Sequence, residues 1–355
     1  MMELEISPDE PHVLVLDDGE LAANWPFLLP RLTGQLGRHD VLVRSASLGG
    51  GATRILDRDA LAAVTALVVV DVEPPVEDIA AMAALELVAG VSDGAPLSIA
   101  GVLAERGIAY IDGSRGRNRS RAEMAIGLML AGLRQIATWH EVTMHEPACW
   151  PHPSWQYCDH AGFVNGTICG KDIVILGLDL VGQQIAELCA AFGARVAVVD
   201  PDADNASFDE VGARQIGLED VVCDADIVIA AGGPRSPRLT ADLVDLLPLH
   251  SMVVTVTPYG IDLAAVRRRT LNEELYWATD VFDTLPVPAG DALLGHGNVV
   301  HTPGVAARTR DAMLTIADIL ADNIIRVLSG QDPVRWDEVS QPAAAVSAGA
   351  AEVRR

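Results

Sequence analysis

Short, uninterrupted apolar runs alternate along this chain with stretches in which apolar residues recur every three or four positions. HVLVLDD (12–18) and TALVVVDVEP (65–74) are of the first kind, the pattern of strands covered on both faces. AAMAALELVAG (80–90) reads as helix leading into strand, and VLAERGIAYIDG (102–113) as helix, glycine stop and strand. SRAEMAIGLMLAGLRQIATWHEV (120–142) has the strongest helical spacing and predicts one long helix. An irregular connector rich in Pro, aromatic and His residues follows, PACWPHPSWQYCDHAGF (147–163). GKDIVILGLDLVGQQIAELCAAFGARVAVVDP (170–201) then reads as strand, glycine turn, helix and strand. ADIVIAAG (225–232), MVVTVTP (252–258), YWATDVF (276–282) and NVVHTP (298–303) predict further strands, and DAMLTIADILADNIIRVLSG (311–330) an amphipathic helix stopped by glycine. The Ala-rich tail, 341–355, is expected to be disordered. Strands alternating with helices throughout imply parallel sheets covered on both faces, an α/β protein.

Composition narrows the function classes. A length of 355 residues is enough for two domains with well-filled cores. The formal net charge of −24 argues against nucleic-acid binding, which needs a basic surface to displace counterions, and against anionic lipid surfaces. No apolar run is long enough to span a membrane, and MMELEISPDE lacks the basic-then-apolar order of a signal peptide, so a cytoplasmic location is expected. The five cysteines are scattered without a C-x-x-C pair, which fits reduced thiols and no metal site. Cys189 and Cys223 lie in apolar stretches and read as core.

GLDLVG (177–182) sits between strand and helix, where a dinucleotide-binding turn reads G-x-G-x-x-G. Gly177 fills the tight-turn role and Gly182 the helix–strand packing role. Asp200, ending the next strand before Pro201, is the carboxylate type that holds the ribose hydroxyls of NAD and repels the 2′-phosphate of NADP. Asp179 is the conflict, because it replaces the glycine that lets the backbone approach the pyrophosphate. A carboxylate about 4–5 Å from a phosphate charge, at an effective dielectric near 20, is repelled by about 3–4 kcal/mol. NAD(H) binding is therefore expected to be weakened by Asp179, and the residue can instead cap the helix starting near Leu180.

A series of segments carries a family resemblance: LAERGIAY (103–110), RAEMAIGLMLAGLRQI (121–136), GKDIVILGLDLVG (170–182), VVDP (198–201), GGPRSPRLT (232–240), TPYG (257–260), DVFDTLP (280–286) and NVVHTPGVAART (298–309). In this order and spacing they resemble the D-isomer-specific 2-hydroxyacid dehydrogenases, which include phosphoglycerate and formate dehydrogenases. The resemblance implies two Rossmann-like domains with parallel sheets. A flavodoxin-like substrate domain takes residues 1–118 and 310–340, and an inserted dinucleotide-binding domain takes 119–309. It also implies a small-molecule ligand in the interdomain cleft and a homodimer formed through the inserted domain. Cofactor contacts would fall on Gly177, Asp179, Leu180, Val181, Gly182, Asp200, Pro201, Gly233, Pro234 and Thr257.

The family's reaction uses an arginine to grip the substrate carboxylate, a histidine to take the hydroxyl proton, and an acid to hold that histidine. On the matching motifs these positions are Tyr259, Gly304 and Leu285, so all three functions are missing. Hydride transfer from an alcohol carbon needs a base for the hydroxyl proton, and neither Gly304 nor Leu285 supplies or orients one. Tyr259, His301 and Asp283 are the neighbouring groups able to take over acid–base roles. Ser92, Asp93 and Gly94 fall where the family receives the substrate carboxylate, and Asp93 makes that point unfavourable for anions. Arg235, Trp150 and Trp155 are further candidates for substrate contact, the two tryptophans equally for a dimer interface. GSRGRNRSR (113–121) is a basic stretch that reads as an anion clamp or as a solvated segment. Three readings stay open: a divergent enzyme with non-standard chemistry on a specialised small molecule, a catalytically silent ligand-binding or regulatory dimer, and an NAD-dependent oxidoreductase with relocated acid–base residues.

Overall fold

The structure, a computed structural model, describes residues 12–48, 58–91, 96–146, 154, 159–160 and 162–334. It divides into two compact units, one of Met1–Arg117 with Arg310–Glu352, the other essentially Asn118–Thr309. The tail 341–355 lies outside the described residues.

The first unit holds five parallel strands: β1 (His12–Asp17), β2 (Leu42–Ser47), β3 (Val64–Val70), β4 (Leu87–Gly90) and β5 (Ala109–Asp112). Their order across the sheet is β2-β1-β3-β4-β5. The pleat sorts β1 between two cores. Val13 and Val15 join one cluster with Leu28, Leu32, Leu36, Ile316, Leu320 and Ile324, while Leu14 and Leu16 join another with Leu67, Val69, Ile79 and Ile99. The helix Arg310–Leu328 thus fills one face of this unit from the far end of the chain. It is pinned to the helix Leu28–Leu36 by Arg31, whose Nε donates to Asp318 Oδ1 at 2.7 Å.

The second unit holds seven parallel strands: β6 (Asp172–Leu176), β7 (Arg195–Val199), β8 (Arg214–Gln215), β9 (Ile227–Ala230), β10 (Met252–Thr255), β11 (Tyr276–Thr279) and β12 (Val299–His301). The order is β12-β11-β10-β9-β6-β7-β8. Chain direction across the sheet reverses between β6 and β9, so a crevice is expected outside their carboxyl ends. Ile173 and Ile175 face one core with Met129, Leu133 and Ile185; Val174 and Leu176 face the other with Val228 and Trp277.

Two differences from the sequence pattern have physical causes. Strands β2 and β8 sit at sheet edges, so LVRSAS and RQ carry too little apolar periodicity to stand out. The stretch 120–142 is two helices, Asn118–Leu133 and Ile136–His145, separated at Gln135, which is left-handed at φ 54°. The Leu133 carbonyl accepts from the Gly166 amide at 3.1 Å, and that tertiary bond ends the first helix.

Asp318 sits below the ordinary aspartate value because Arg31 hydrogen-bonds its carboxylate, with Gln35 adding a second bond. A depressed folded value means the contribution is present above the unfolded value and lost as pH falls through the folded one. The melting temperature of the protein is therefore expected to exceed that of Asp318→Asn near pH 7, with the gap closing below about pH 4, read by thermal unfolding across pH. In the second unit a Cβ on Gly182 would strike the Gly177 carbonyl oxygen, which is backbone and has nowhere to move. Gly182→Ala should lower stability by about 1–3 kcal/mol and the melting temperature by several degrees.

Candidate active site

The turn after β6 is built by three local requirements. Gly177 has φ 95°, a conformation L side chains rarely adopt. Gly182 brings the helix Leu180–Ala191 against the turn. Asp179, in extended conformation, is the N-cap of that helix. Its Oδ1 accepts from the amides of Val181 at 3.0 Å and Gly182 at 3.1 Å. Its Oδ2 accepts from the Gly233 amide at 2.9 Å. Gly233 belongs to the loop after β9, on the other side of the strand-order reversal. One exposed carboxylate therefore joins both lips of the expected crevice, using amides of the kind that would receive a phosphate.

Asp200 continues this arrangement from the end of β7. Its Oδ2 accepts from the Leu178 amide at 2.7 Å and its Oδ1 from the Asp202 amide at 3.0 Å. Thr257, buried, donates to the Gly232 carbonyl at 2.9 Å and ties the β10 loop to the β9 loop. Ser236, which sequence reasoning missed, packs its hydroxyl where side chains on Gly177 and Gly232 would otherwise stand. Leu180 is half-buried, and Pro201, Pro234 and Arg235 are exposed.

The structure does not assemble the three acid–base candidates into one catalytic pair. Tyr259 is exposed on the loop after β10. His301 is exposed at the end of β12, its ring edge-on to Phe282 at 5.7 Å. Asp283 accepts from Arg267 at 3.2 Å, and the same guanidinium holds both oxygens of Asp291 at 2.5 and 2.6 Å. The Leu293 amide, with Arg267, holds the Asp291 carboxyl below its usual range. Asp283 is thus one arm of an ion-pair network. No sequence signal marked Asp283 for this, because Arg267 comes from a helix sixteen residues earlier.

Gly304 has φ 72°, and Leu285 is exposed. The loop around Gly304 is held by Asp280, also missed, which is buried and accepts from Thr302 Oγ1 at 2.5 Å and from the amides of Val305 and Ala306 at 2.8 Å. Only the motif DVF, in which the first residue caps a strand, hinted at it. Within GSRGRNRSR, Arg117 lies over the Trp25 ring at 5.0 Å and donates to the Val91 carbonyl, and Arg119 pairs with Glu123. Ser92, Asp93, Gly94, Trp150 and Trp155 lie outside the described residues. Cys189 is buried, and burial pushes its thiol up to about 12, an inert core group. Among the described residues, no helix is long and apolar enough to cross a membrane, and no group of three His, Cys, Asp or Glu is placed to hold a metal ion.

Comparison with known proteins places this chain in a family. D-3-phosphoglycerate dehydrogenase of Archaeoglobus fulgidus is 28% identical over 238 residues, covering 65% of this chain and 43% of that protein. The enzyme of the same name from Mycobacterium tuberculosis is 29% identical over 233 residues, covering 64% and 42%. The chain therefore spans less than half the length of these relatives. Among solved structures, a phosphoglycerate oxidoreductase from Rhizobium etli has TM-score 0.75 at 18% identity, covering 94% of this chain and 99% of that one. An NADPH-dependent glyoxylate/hydroxypyruvate reductase from Sinorhizobium meliloti, in complex with NADP and malonate, has TM-score 0.65 at 21% identity, covering 90% and 94%. These two confirm the fold, two Rossmann-like arrangements of parallel strands. Residues 126–306 match the model described as D-isomer specific 2-hydroxyacid dehydrogenase, NAD binding domain. With that match spanning half the chain and carrying the turn at Gly177, this protein belongs to the D-isomer-specific 2-hydroxyacid dehydrogenase family.

Proposed function

We propose that this chain is a divergent family member that does not exchange hydride between 2-hydroxy acids and a nicotinamide, and that it binds a small neutral or cationic ligand. The observation that carries this reading is Gly304. Gly304 carries no side chain that could take the hydroxyl proton, and its φ of 72° is one that glycine adopts more readily than L residues. Asp280 fastens the loop in that form by two amides and a hydroxyl. Leu285 offers no carboxylate to orient a base, and Asp283 is engaged by Arg267. Tyr259 can donate one hydrogen bond to a carboxylate but cannot form the bidentate charged clamp of an arginine.

A second reading, non-redox chemistry on the same ligand, is favoured by the exposed phenol of Tyr259, which is free to meet a substrate. The reading as an NAD-dependent oxidoreductase with relocated groups finds less support, since His301 and Asp283 serve a ring contact and an ion pair. A homodimer through the second unit is part of the proposal, supported by the exposed Ile136 and Met144 on the helix Ile136–His145. The net charge of −24 supports a small-molecule role in the cytoplasm over nucleic acid or membrane partners.

Purified protein given NADH or NADPH and a panel of 2-oxo acids is expected to show turnover at least about 10⁴-fold below ordinary enzymes of the family, because several transition-state contacts are missing together. Ordinary rates would overturn the reading. Gly304→His alone should not restore activity, since Leu285 offers no carboxylate to orient the imidazole and Tyr259 no bidentate clamp for the substrate. Asp283→Asn should behave as a lost structural pair, lowering stability by about 1–2 kcal/mol in thermal unfolding.

A further inference from the structure

We propose that the carboxylate of Asp179 stands in for the pyrophosphate of a dinucleotide, so that the crevice of the second unit admits a phosphate-free nucleoside and excludes NAD(H) and NADP(H). The inference deepens the preceding reading and rests on it for the neutral or cationic character of the ligand.

An ordinary N-cap accepts from amides of its own helix, and Asp179 does this with Val181 and Gly182. The third contact is of another kind. Gly233 follows β9, and the strand order reverses between β9 and β6, so its amide faces Asp179 across the place where an open α/β sheet binds its ligand. Two amides from a helix N-terminus and one from the opposite lip form a cradle for an anion with its charge spread over more than one oxygen. Asp179 supplies such an anion from within the chain. A diphosphate entering the turn would have to displace it and then lie beside the displaced charge.

Electrostatics act in the same direction. Asp200 stands at the adjacent strand end, with its carboxylate on the Leu178 amide of the same turn. Asp202 follows, exposed. Among the described residues no lysine or arginine is hydrogen-bonded to the Asp179 or Asp200 carboxylate, so a dinucleotide would add its phosphate charges to this group.

What remains favours a diol. A carboxylate has about four acceptor positions, and Asp200 uses two of them on Leu178 and Asp202. The half-buried carboxylate keeps capacity to accept from neighbouring hydroxyls, as a ribose presents. The turn glycines Gly177 and Gly182 keep the helix and β6 in their binding geometry. The turn has lost its fit to phosphate and kept its fit to the sugar.

Calorimetric titration with adenosine, ADP-ribose and NADH tests this on the whole protein. The wild-type chain is expected to bind adenosine, and to bind ADP-ribose and NADH at least about 100-fold more weakly than the Asp179→Gly variant does. Adenosine affinity should differ by less than about threefold between the two. A glycine N-cap costs only a few tenths of a kcal/mol relative to aspartate, and the lost bond to the Gly233 amide about 1–3 kcal/mol more, so the variant is expected to fold with a lowered melting temperature. Asp179→Asn keeps a capping oxygen without the charge and should fall between the two for NADH. Asp200→Ala should abolish adenosine binding. Equal NADH affinity in wild type and Asp179→Gly, or no adenosine binding to either, would overturn the inference. Tight NADH binding without turnover of 2-oxo acids would sink this proposal alone, whereas ordinary turnover would sink the reading beneath it.

Discussion

The interaction on which the second unit turns is a single carboxylate bonded to three backbone amides drawn from two sides of a sheet. Asp179 caps the helix Leu180–Ala191 and at the same time fastens the loop after β9. Charge-assisted bonds of this type are roughly twice as strong as neutral ones, and the helix dipole adds to them. In open α/β sheets the amides at the carboxyl ends of the strands are the ligand-receiving surface, and here the chain supplies its own anion to them.

The same device recurs at the carboxyl ends of other strands. Asp17 at the end of β1 accepts from the Gly19 amide and the Ser47 hydroxyl, Asp112 at the end of β5 from Ser114, and Asp200 after β7 from Leu178. Asp280 after β11 is the most buried case, gathering Thr302, Val305 and Ala306 around the loop that holds Gly304. In a chain of net charge −24, acidic side chains have become the clasps of its own loops. Each clasp orders backbone, which stabilises the strand ends, and each withdraws donors from an incoming anion.

The parts of the fold with strong periodicity were legible. Buried parallel strands such as VLVL and VVVD have one reading, and the turn GLDLVG announced its strand and helix by glycine spacing. The cap at Asp179 was legible as well, because an N-cap depends on residues two and three positions away. The two edge strands and the break at Gln135 were not. An edge strand has little apolar pattern to show, and the break is made by Gly166, thirty-one residues beyond.

The sequence by itself determined the alternation of strand and helix, the family motifs in their order, and the glycine turn with Asp179 at its corner. Only the tertiary structure decided what those residues do. That Asp179 reaches Gly233, that Asp283 belongs to Arg267, and that Asp280 holds the loop at Gly304 are contacts between segments distant along the chain. Spacing and periodicity describe how one element forms. They carry no record of which loop lies opposite, and a carboxylate becomes a ligand, a base or a clasp according to the donor that folding places beside it.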